Sequence, residues 1–225
     1  MLQPFHRVDT SGTGSEPFDG VRVPGASRFA ARCLELSALR ARFEARREGS
    51  GGRRPGSLLA FDTAIVMAAV APLFRPSDAA CFRRPSDAAG AAVRRVLVPM
   101  PGERRLAVDV VPQTLRFDAA DLTRLLQELV DNAWRHAPAG GTVRVRGAPG
   151  QSGYQLSVTN TGPRLPRWVA GALREVDAGR PPAGRTELQL GLAIASTLTA
   201  LNDSTLEVVR GGGRPNTLRI IVQPD

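Results

Sequence analysis

A carboxylate and an amide stand four residues apart in the segment DLTRLLQELVDNAWRHA. At this spacing on a helix, side chains lie one above the other, so Glu128 and Asn132 are expected to share one edge. Magnesium prefers oxygen ligands, takes few of them from protein and completes its shell with water and phosphate. We therefore expect Asn132 to anchor magnesium beside a triphosphate, Glu128 to orient or deprotonate a water, and Arg135 to pair with phosphate. The alternative for this helix alone is an amphipathic helix whose polar edge simply meets solvent.

The segments around this helix alternate between strand and helix patterns from residue 104 to 225. RRLAVDVV predicts a strand, and a helix begins at an Asp118 cap and ends before Pro138. TVRVRG and YQLSVTN predict two more strands, followed by a Pro- and Gly-rich stretch over 161–186. A helix from Gly191 and a hairpin around GGGRPN complete the order. This order predicts an α+β fold, a two-layer sandwich of a mixed β-sheet with helices on one face.

The first hundred residues have a different character. Residues 1–26 are rich in Gly, Ser, Pro and Asp, which predicts a flexible leader. Apolar residues at three- and four-residue spacings predict a helix over 27–47, and the nearly all-apolar segment 58–74 predicts a second. We expect residues 27–100 to form a helical hairpin and a loop, in which RPSDAA occurs twice. Because a nearly all-apolar helix rarely stays unpaired, this region is a candidate for homodimerisation.

Arginine dominates the charge of the chain. All 30 basic residues are arginine against 21 acidic ones, which gives a formal net charge of +9. The arginines are scattered and are not interleaved with aromatic residues, so compositional bias is favoured over nucleic-acid binding. An acidic protein partner or a phosphorylated ligand fits the same charge. The two cysteines lack metal-site spacing and no apolar run reaches bilayer length, so we expect a cytoplasmic protein without a membrane span.

Three ordered strings resemble known motifs. ELVDNAWRHAPAGGTVRV resembles the N box of histidine kinases and of the wider ATPase family that includes Hsp90, DNA gyrase and the mismatch-repair ATPases. LSVTNTGPRLP resembles the first glycine box of that family, and LQLGLAIASTLTALN resembles the second glycine box with its helix. The resemblance implies a Bergerat ATP-binding fold over residues 104–225, closest to sensor histidine kinases, with ATP and Mg²⁺ as cofactors.

The resemblance assigns roles to the matching positions. It implies that Asn132 holds the magnesium, that Arg135 approaches phosphate, and that Glu128 occupies the position of the general base. Asn160 stands where the family usually keeps an adenine-recognising Asp, and Gly162 where the backbone must come close to the base. An Asn side-chain carbonyl can still accept a hydrogen bond from the adenine amino group.

The glycine boxes depart from the family pattern. Arg164 replaces the second glycine of the first box, and Glu187 and its neighbours leave only Gly191, followed by Leu192, of the second. Thr217 follows an Asn where the family usually has a Gly-Thr pair before the last strand. Glycines matter here because backbone amides approach phosphates closely only when no Cβ intervenes.

Two functions follow from the resemblance. The first is phosphoryl transfer from Mg-ATP to a partner protein in two-component or related signalling. The predicted helix over 27–47 lacks a phosphoacceptor histidine, and neither His6 nor His136 is assigned that role. The alternative is a catalytically degenerate adaptor that binds an acidic response regulator without using ATP. A DNA-associated ATPase of the gyrase type, which would carry a further transducer domain, is the weakest of the three hypotheses.

Overall fold

The computed structural model describes residues 24–49, 57–74, 95–99, 104–163, 169, 171, 173, 187–209 and 216–222. Residues 1–23 of the predicted leader, both RPSDAA copies and Arg164 lie outside these ranges. In chain order the elements are α1 (Pro24–Glu48), β1 (Leu58–Phe61), α2 (Thr63–Val70), a 3₁₀ turn (Ala71–Leu73), β2 (Arg95–Pro99), β3 (Arg105–Val110), β4 (Gln113–Arg116), α3 (Ala119–Arg135), β5 (Thr142–Gly150), β6 (Gly153–Asn160), α4 (Glu187–Leu201), β7 (Thr205–Val209) and β8 (Asn216–Val222).

Six strands form the main sheet in the order β2-β3-β5-β6-β8-β7. Strands β3 and β5 run parallel, and the other neighbouring strands run antiparallel. Alternate residues face the helices and are buried: Leu106, Val108, Val143, Val145, Leu156, Val158, Leu218 and Ile220. Helix α2 contacts β3, helix α3 contacts β5 and β6, and α4 contacts β7. The predicted α+β sandwich with helices on one face of a mixed sheet is confirmed.

Helix α3 forms where the sequence predicts it. The Asp118 side chain accepts hydrogen bonds at 2.9 Å from the backbone N–H groups of Ala120 and Asp121, which satisfies two donors that a helix start leaves unpaired. Its apolar stripe is buried and includes Leu122, Leu125, Leu126 and Leu129. This packing fixes the rotation of the helix, so the edge that carries Glu128 and Asn132 is held at one side of the sandwich.

The prediction of one helix over residues 58–74 is wrong for its first residues, which form strand β1. Strand β1 pairs with β4 in a separate two-stranded sheet, and helix α2 begins only after Asp62. The Asp62 carboxylate accepts from the Ile65 backbone N–H at 3.0 Å, so it caps a helix start inside a run that otherwise looks continuously apolar. Helix α2 is apolar on all sides because it packs against α3 and the shared core, not against α1 as a hairpin partner.

Helix α1 matches the predicted helix, with ends at Pro24 and Glu48, and packs on α4. Its Leu36 and Leu39 belong to the same core cluster as the sheet, and strand β2 extends that sheet from before residue 104. Residues on both sides of the predicted boundary therefore share one core. The nearly all-apolar segment that suggested dimerisation contains α2, which packs on α3 within the chain, and the homodimer stays a prediction.

Ion pairs tie α1 to the helical layer at several points. Glu35 accepts two hydrogen bonds from Arg124, at 2.5 and 2.7 Å. Arg42 pairs with Asp121 of α3 at 3.1 Å. Nowhere in the described ranges does a helix have the length and apolar character that crossing a bilayer requires.

Candidate functional site

A hollow of about 210 Å³ lies at the polar edge of α3. Four predicted site residues line it: Glu128, Asn132 and Arg135 come from α3, and Gly191 comes from the start of α4. The helical spacing therefore does bring carboxylate, amide and guanidinium to one surface, as predicted. The hollow is further lined by Arg32, Asp131 and His136, none of which was assigned to the site from the sequence.

Glu128 is buried and held by two arginines. Its side chain is 6% exposed, Arg124 pairs with Oε1 at 2.5 Å, and Arg32 donates to Oε2. Burial raises the pKa of Glu128, and the positive charges of Arg124 and Arg32 oppose that rise. A general base must accept a proton through an oxygen that reaches the reacting water. In this arrangement both carboxylate oxygens already accept hydrogen bonds from guanidinium groups.

Arg32 is the functional residue that the sequence analysis missed. It lies on α1, ninety-six residues before Glu128, and only 9% of it is exposed. Its Nε is buried and has no hydrogen-bond partner in the described part of the chain. A signal was available, because Arg32 falls three residues after Phe29 and four before Leu36 and thus on the apolar stripe of its helix. An arginine on a buried stripe needs an anionic partner.

Arg135 is paired within its own helix. Its Nη2 and Nε lie 2.8 and 3.2 Å from the carboxylate of Asp131, one turn earlier, and its side chain is 34% exposed. Asn132 lines the same hollow and is half-buried. His136, the residue at the C-terminal cap of α3, is exposed at the same hollow.

Two of the predicted glycines occupy positions that a Cβ would fill. At Gly162 a Cβ would collide with the backbone carbonyl oxygen of His136 and lie 3.1 Å from the Asn160 amide nitrogen. At Gly191 it would lie 2.8 Å from both Arg32 Nη2 and Glu128 Oε2. The Gly162 backbone lies against the end of α3, and the approach to the adenine base that the resemblance implies for Gly162 stays a prediction. Gly191 lets α4 begin directly beside the buried ion pair.

Asn160 and Leu192 lie behind the hollow. Asn160 is buried at the end of β6 and donates from Nδ2 to the Ala133 carbonyl of α3 at 3.0 Å. Leu192 is 3% exposed and belongs to the hydrophobic core, so it supports the hollow without lining it.

Thr217 lies on the opposite face of the sheet, which corrects its assignment to the site. The β6–β8 register places Asn216 opposite Asn160 and Thr217 opposite Thr159, and the two threonine hydroxyls lie 2.9 Å apart. Side chains alternate between the two faces of a sheet along each strand. Asn216 lies on the helix side together with Asn160, so its neighbour Thr217 faces away from the helices. Asn216 instead donates to the carbonyls of Gly162 and Pro163.

The hollow fits the chemistry of magnesium and phosphate in its donor set. Asn132, Asp131 and Glu128 supply oxygen atoms, which are the ligands that Mg²⁺ prefers. Arg135 and Arg32 supply guanidinium groups, which bind phosphate oxygens. Among the described residues no group of three or more His, Cys, Asp and Glu side chains could hold a metal by protein ligands alone. A metal here would therefore depend on water and phosphate for the rest of its shell.

Known proteins with a similar sequence or fold are signalling kinases and ATPases. Residues 117–224 match the family described as histidine kinase-, DNA gyrase B-, and HSP90-like ATPase. Hybrid signal transduction histidine kinase D of Dictyostelium discoideum is 28% identical over 125 residues, which are 51% of this chain and 8% of that protein. The match thus spans a small part of that relative's length.

Two solved structures share the fold over most of this chain. Histidine kinase AdeS of Acinetobacter baumannii aligns with a TM-score of 0.56 and 17% identity, covering 92% of this chain and 88% of that one. ShkA, solved at full length in complex with AMPPNP, aligns with a TM-score of 0.53 and 19% identity, covering 89% and 38%. The sheet order, the α3 motif and the family match agree, so residues 117–224 form a domain that resembles the histidine kinase-, DNA gyrase B- and HSP90-like ATPases.

Proposed function

We propose that this chain binds Mg-ATP in the α3 hollow and transfers a phosphoryl group to a partner protein in two-component or related signalling. The observation that carries the proposal is that Glu128, Asn132, Arg135 and Gly191 line one hollow of a domain from this ATPase family. Magnesium, when bound, would neutralise the charge of the triphosphate and of the transferred group.

The chain's own residues would do the positioning. The side-chain carbonyl of Asn132 would hold the metal, and Arg135 would leave Asp131 to pair with phosphate. Asn160, already fixed by its hydrogen bond to α3, would present its side-chain carbonyl to the adenine amino group. Gly162 would keep the backbone near the base free of a Cβ.

One observation favours a second candidate, the adaptor that does not use ATP. Both oxygens of Glu128 are engaged by arginines, and the hollow is smaller than the roughly 300–1,000 Å³ of ordinary ligand pockets. Under the kinase proposal, Arg32 must leave Glu128 before the nucleotide is bound. Under the adaptor proposal, the α1–α3 pairing is permanent and the domain serves as a scaffold.

Calorimetry with Mg-ATP separates the two candidates. If the kinase proposal holds, the wild-type chain binds Mg-ATP and Asn132→Ala weakens binding at least about tenfold, equivalent to about 1.4 kcal/mol. Thr123→Ala, on the same helix but outside the hollow, is the matched control and leaves affinity unchanged. No heat of binding at millimolar Mg-ATP, for the wild type and for a variant that lacks Arg32, would reject the kinase and leave the adaptor.

The proposed partner is an acidic response-regulator or other signalling domain in the cytoplasm. The support is the net charge of +9, which favours acidic surfaces through long-range attraction. A homodimer is proposed as well, with an interface other than the α1 stripe that packs on α4. Sedimentation of the purified chain over a concentration series tests the dimer directly.

A further inference from the structure

A second hollow, of about 580 Å³, lies on the outer face of the sheet, away from the helices. Among the described residues its walls are three arginines, five hydroxyl side chains and Val209, and none of them is a carboxylate. The arginines are Arg144 and Arg146 of β5 and Arg219 of β8. This surface is separate from the α3 hollow, because the whole sheet lies between them.

The strand register arranges these side chains in rows. Arg146, Ser157 and Arg219 form one row across β5, β6 and β8, and Arg144, Thr159 and Thr217 form the next. Arg144 and Arg146 lie two residues apart on one strand, so their Cα atoms are about 7 Å apart. The surface is therefore a regular grid of guanidinium and hydroxyl donors.

The charge of this grid is not neutralised from within. Arg219 pairs with Glu207 at 3.3 Å. Arg144 and Arg146 are exposed, and among the described residues no ion pair joins either of them to a carboxylate, Asp109 on the neighbouring strand included. Two adjacent guanidinium groups with the same charge repel each other, and an anionic ligand that bridges them removes that repulsion.

The geometry selects the class of ligand. None of the described residues that line the hollow is aromatic, so they offer no stacking platform for nucleic-acid bases. An extended peptide places alternate side chains about 7 Å apart on one side, which is the spacing of Arg144 and Arg146. Guanidinium groups bind carboxylates through paired hydrogen bonds, and the hydroxyl rows can donate to a peptide backbone.

We propose that the outer-face hollow docks an extended acidic segment of a partner protein, with carboxylates at alternate positions. The proposal goes beyond nucleotide binding, since it concerns the opposite face of the sheet and does not require ATP. It would give the domain a means of holding a partner while the α3 hollow remains open to solvent.

Fluorescence anisotropy with an end-blocked twelve-residue peptide of alternating Asp and Ser tests the proposal. The full chain should bind the peptide, and the double variant Arg144→Ala/Arg146→Ala should lower affinity about tenfold or more, since each arginine supplies charge-assisted hydrogen bonds to a carboxylate. The matched control is Arg40→Ala/Arg47→Ala on α1, which removes the same charge and should change affinity less than about twofold at physiological salt, where distant charges are screened.

Several outcomes would overturn the proposal. Equal losses in the two double variants would mean that only net charge attracts the peptide. Tighter binding of a single-stranded oligonucleotide than of the peptide, lost in the same double variant, would assign the hollow to nucleic acid instead. Asn132→Ala should leave peptide binding unchanged, so failure of nucleotide binding and failure of this proposal are told apart. Circular dichroism and thermal melting confirm that each variant is folded.

Discussion

Replacement of Arg32 by methionine tests the buried ion pair at the α3 hollow. Methionine keeps an unbranched apolar stem in the α1 stripe and removes only the guanidinium, so packing changes little. Among the described residues, Glu128 then retains Arg124 as its single ion-pair partner. A hydrogen bond to a charged group contributes about 1.5–3 kcal/mol, and we expect the free energy of unfolding to fall by about 2 kcal/mol. For a chain of 225 residues this lowers the Tm by roughly 4–8 °C.

The pH dependence of this loss has a definite sign. Burial already raises the pKa of Glu128, and loss of the Arg32 charge removes one of the two groups that oppose the rise. A carboxyl whose pKa is higher in the folded than in the unfolded state stabilises the fold below its unfolded pKa and loses that effect as pH rises through its folded pKa. The difference between Arg32→Met and the wild type should therefore be small in acid and grow toward neutral pH.

The same variant reports on the nucleotide. Without Arg32, Glu128 Oε2 loses its guanidinium partner and the hollow is larger. If the Arg32–Glu128 pair opposes Mg-ATP binding by about 1.4 kcal/mol, affinity for Mg-ATP should rise about tenfold in this variant. Thermal and urea unfolding across pH, and calorimetry with Mg-ATP, measure the two effects. Arg40→Met is the control, because Arg40 is a half-buried residue of α1 that makes no ion pair within the described residues.

A double-mutant cycle with Glu128→Gln gives the decisive result. Groups in direct contact show coupling energies of about 0.5–3 kcal/mol, whereas independent sites add within about 0.5 kcal/mol. Losses for Arg32→Met and Glu128→Gln that add within about 0.5 kcal/mol would refute the buried pair, and so would an unchanged Tm in Arg32→Met. Increased stability of Arg32→Met at neutral pH would refute it equally.

Two further substitutions and one titration test other parts of the fold. Gly162→Ala should destabilise by about 1–3 kcal/mol, because its Cβ would collide with a backbone carbonyl at the end of α3. Gly171→Ala, where a Cβ would meet nothing within 4 Å, is the control and should stay within about 0.5 kcal/mol in thermal melts. Asn160→Asp replaces a buried amide donor to α3 with an acceptor and should cost about 1–3 kcal/mol at neutral pH, with recovery in acid, where a protonated carboxyl donates again; an equal loss at both pH values would contradict this. Tyr154 is the chain's single tyrosine, and burial raises its pKa above the ordinary value of 10. Its phenolate absorbance should therefore appear only as the protein unfolds in alkali, and a separate earlier titration would show that the ring is exposed.

The features that were predicted correctly depend on neighbours in sequence. The Asp118 cap, the leucine stripe of α3 and the alternation of β5 and β6 are all set within a few residues, and local periodicity reveals them. The same rule brought Glu128 and Asn132 together. Local periodicity failed at Asp62. The apolar segment was predicted as one continuous helix, and a helix cap inside that segment was therefore not recognised.

The errors at the site have long-range causes. Arg32 reaches Glu128 only because α1 packs on α4, which itself packs on α3, and no local pattern specifies which helix faces a distant residue. Thr217 was misplaced because the face that a strand residue occupies depends on register, and a one-residue difference in register reverses every side chain. The motif resemblance identified the correct strand but did not fix its register.

The packing of α1 on α4 has a consequence for synthesis on the ribosome. Helix α1 ends at Glu48 and its partner begins only at Glu187. At about 5–20 residues per second, the apolar stripe of the nascent helix waits on the order of ten to thirty seconds before that partner exists. During this interval α4 is not yet present to cover Leu36 and Leu39. Slower translation between the two helices should increase aggregation in cells while leaving the stability of the finished protein unchanged.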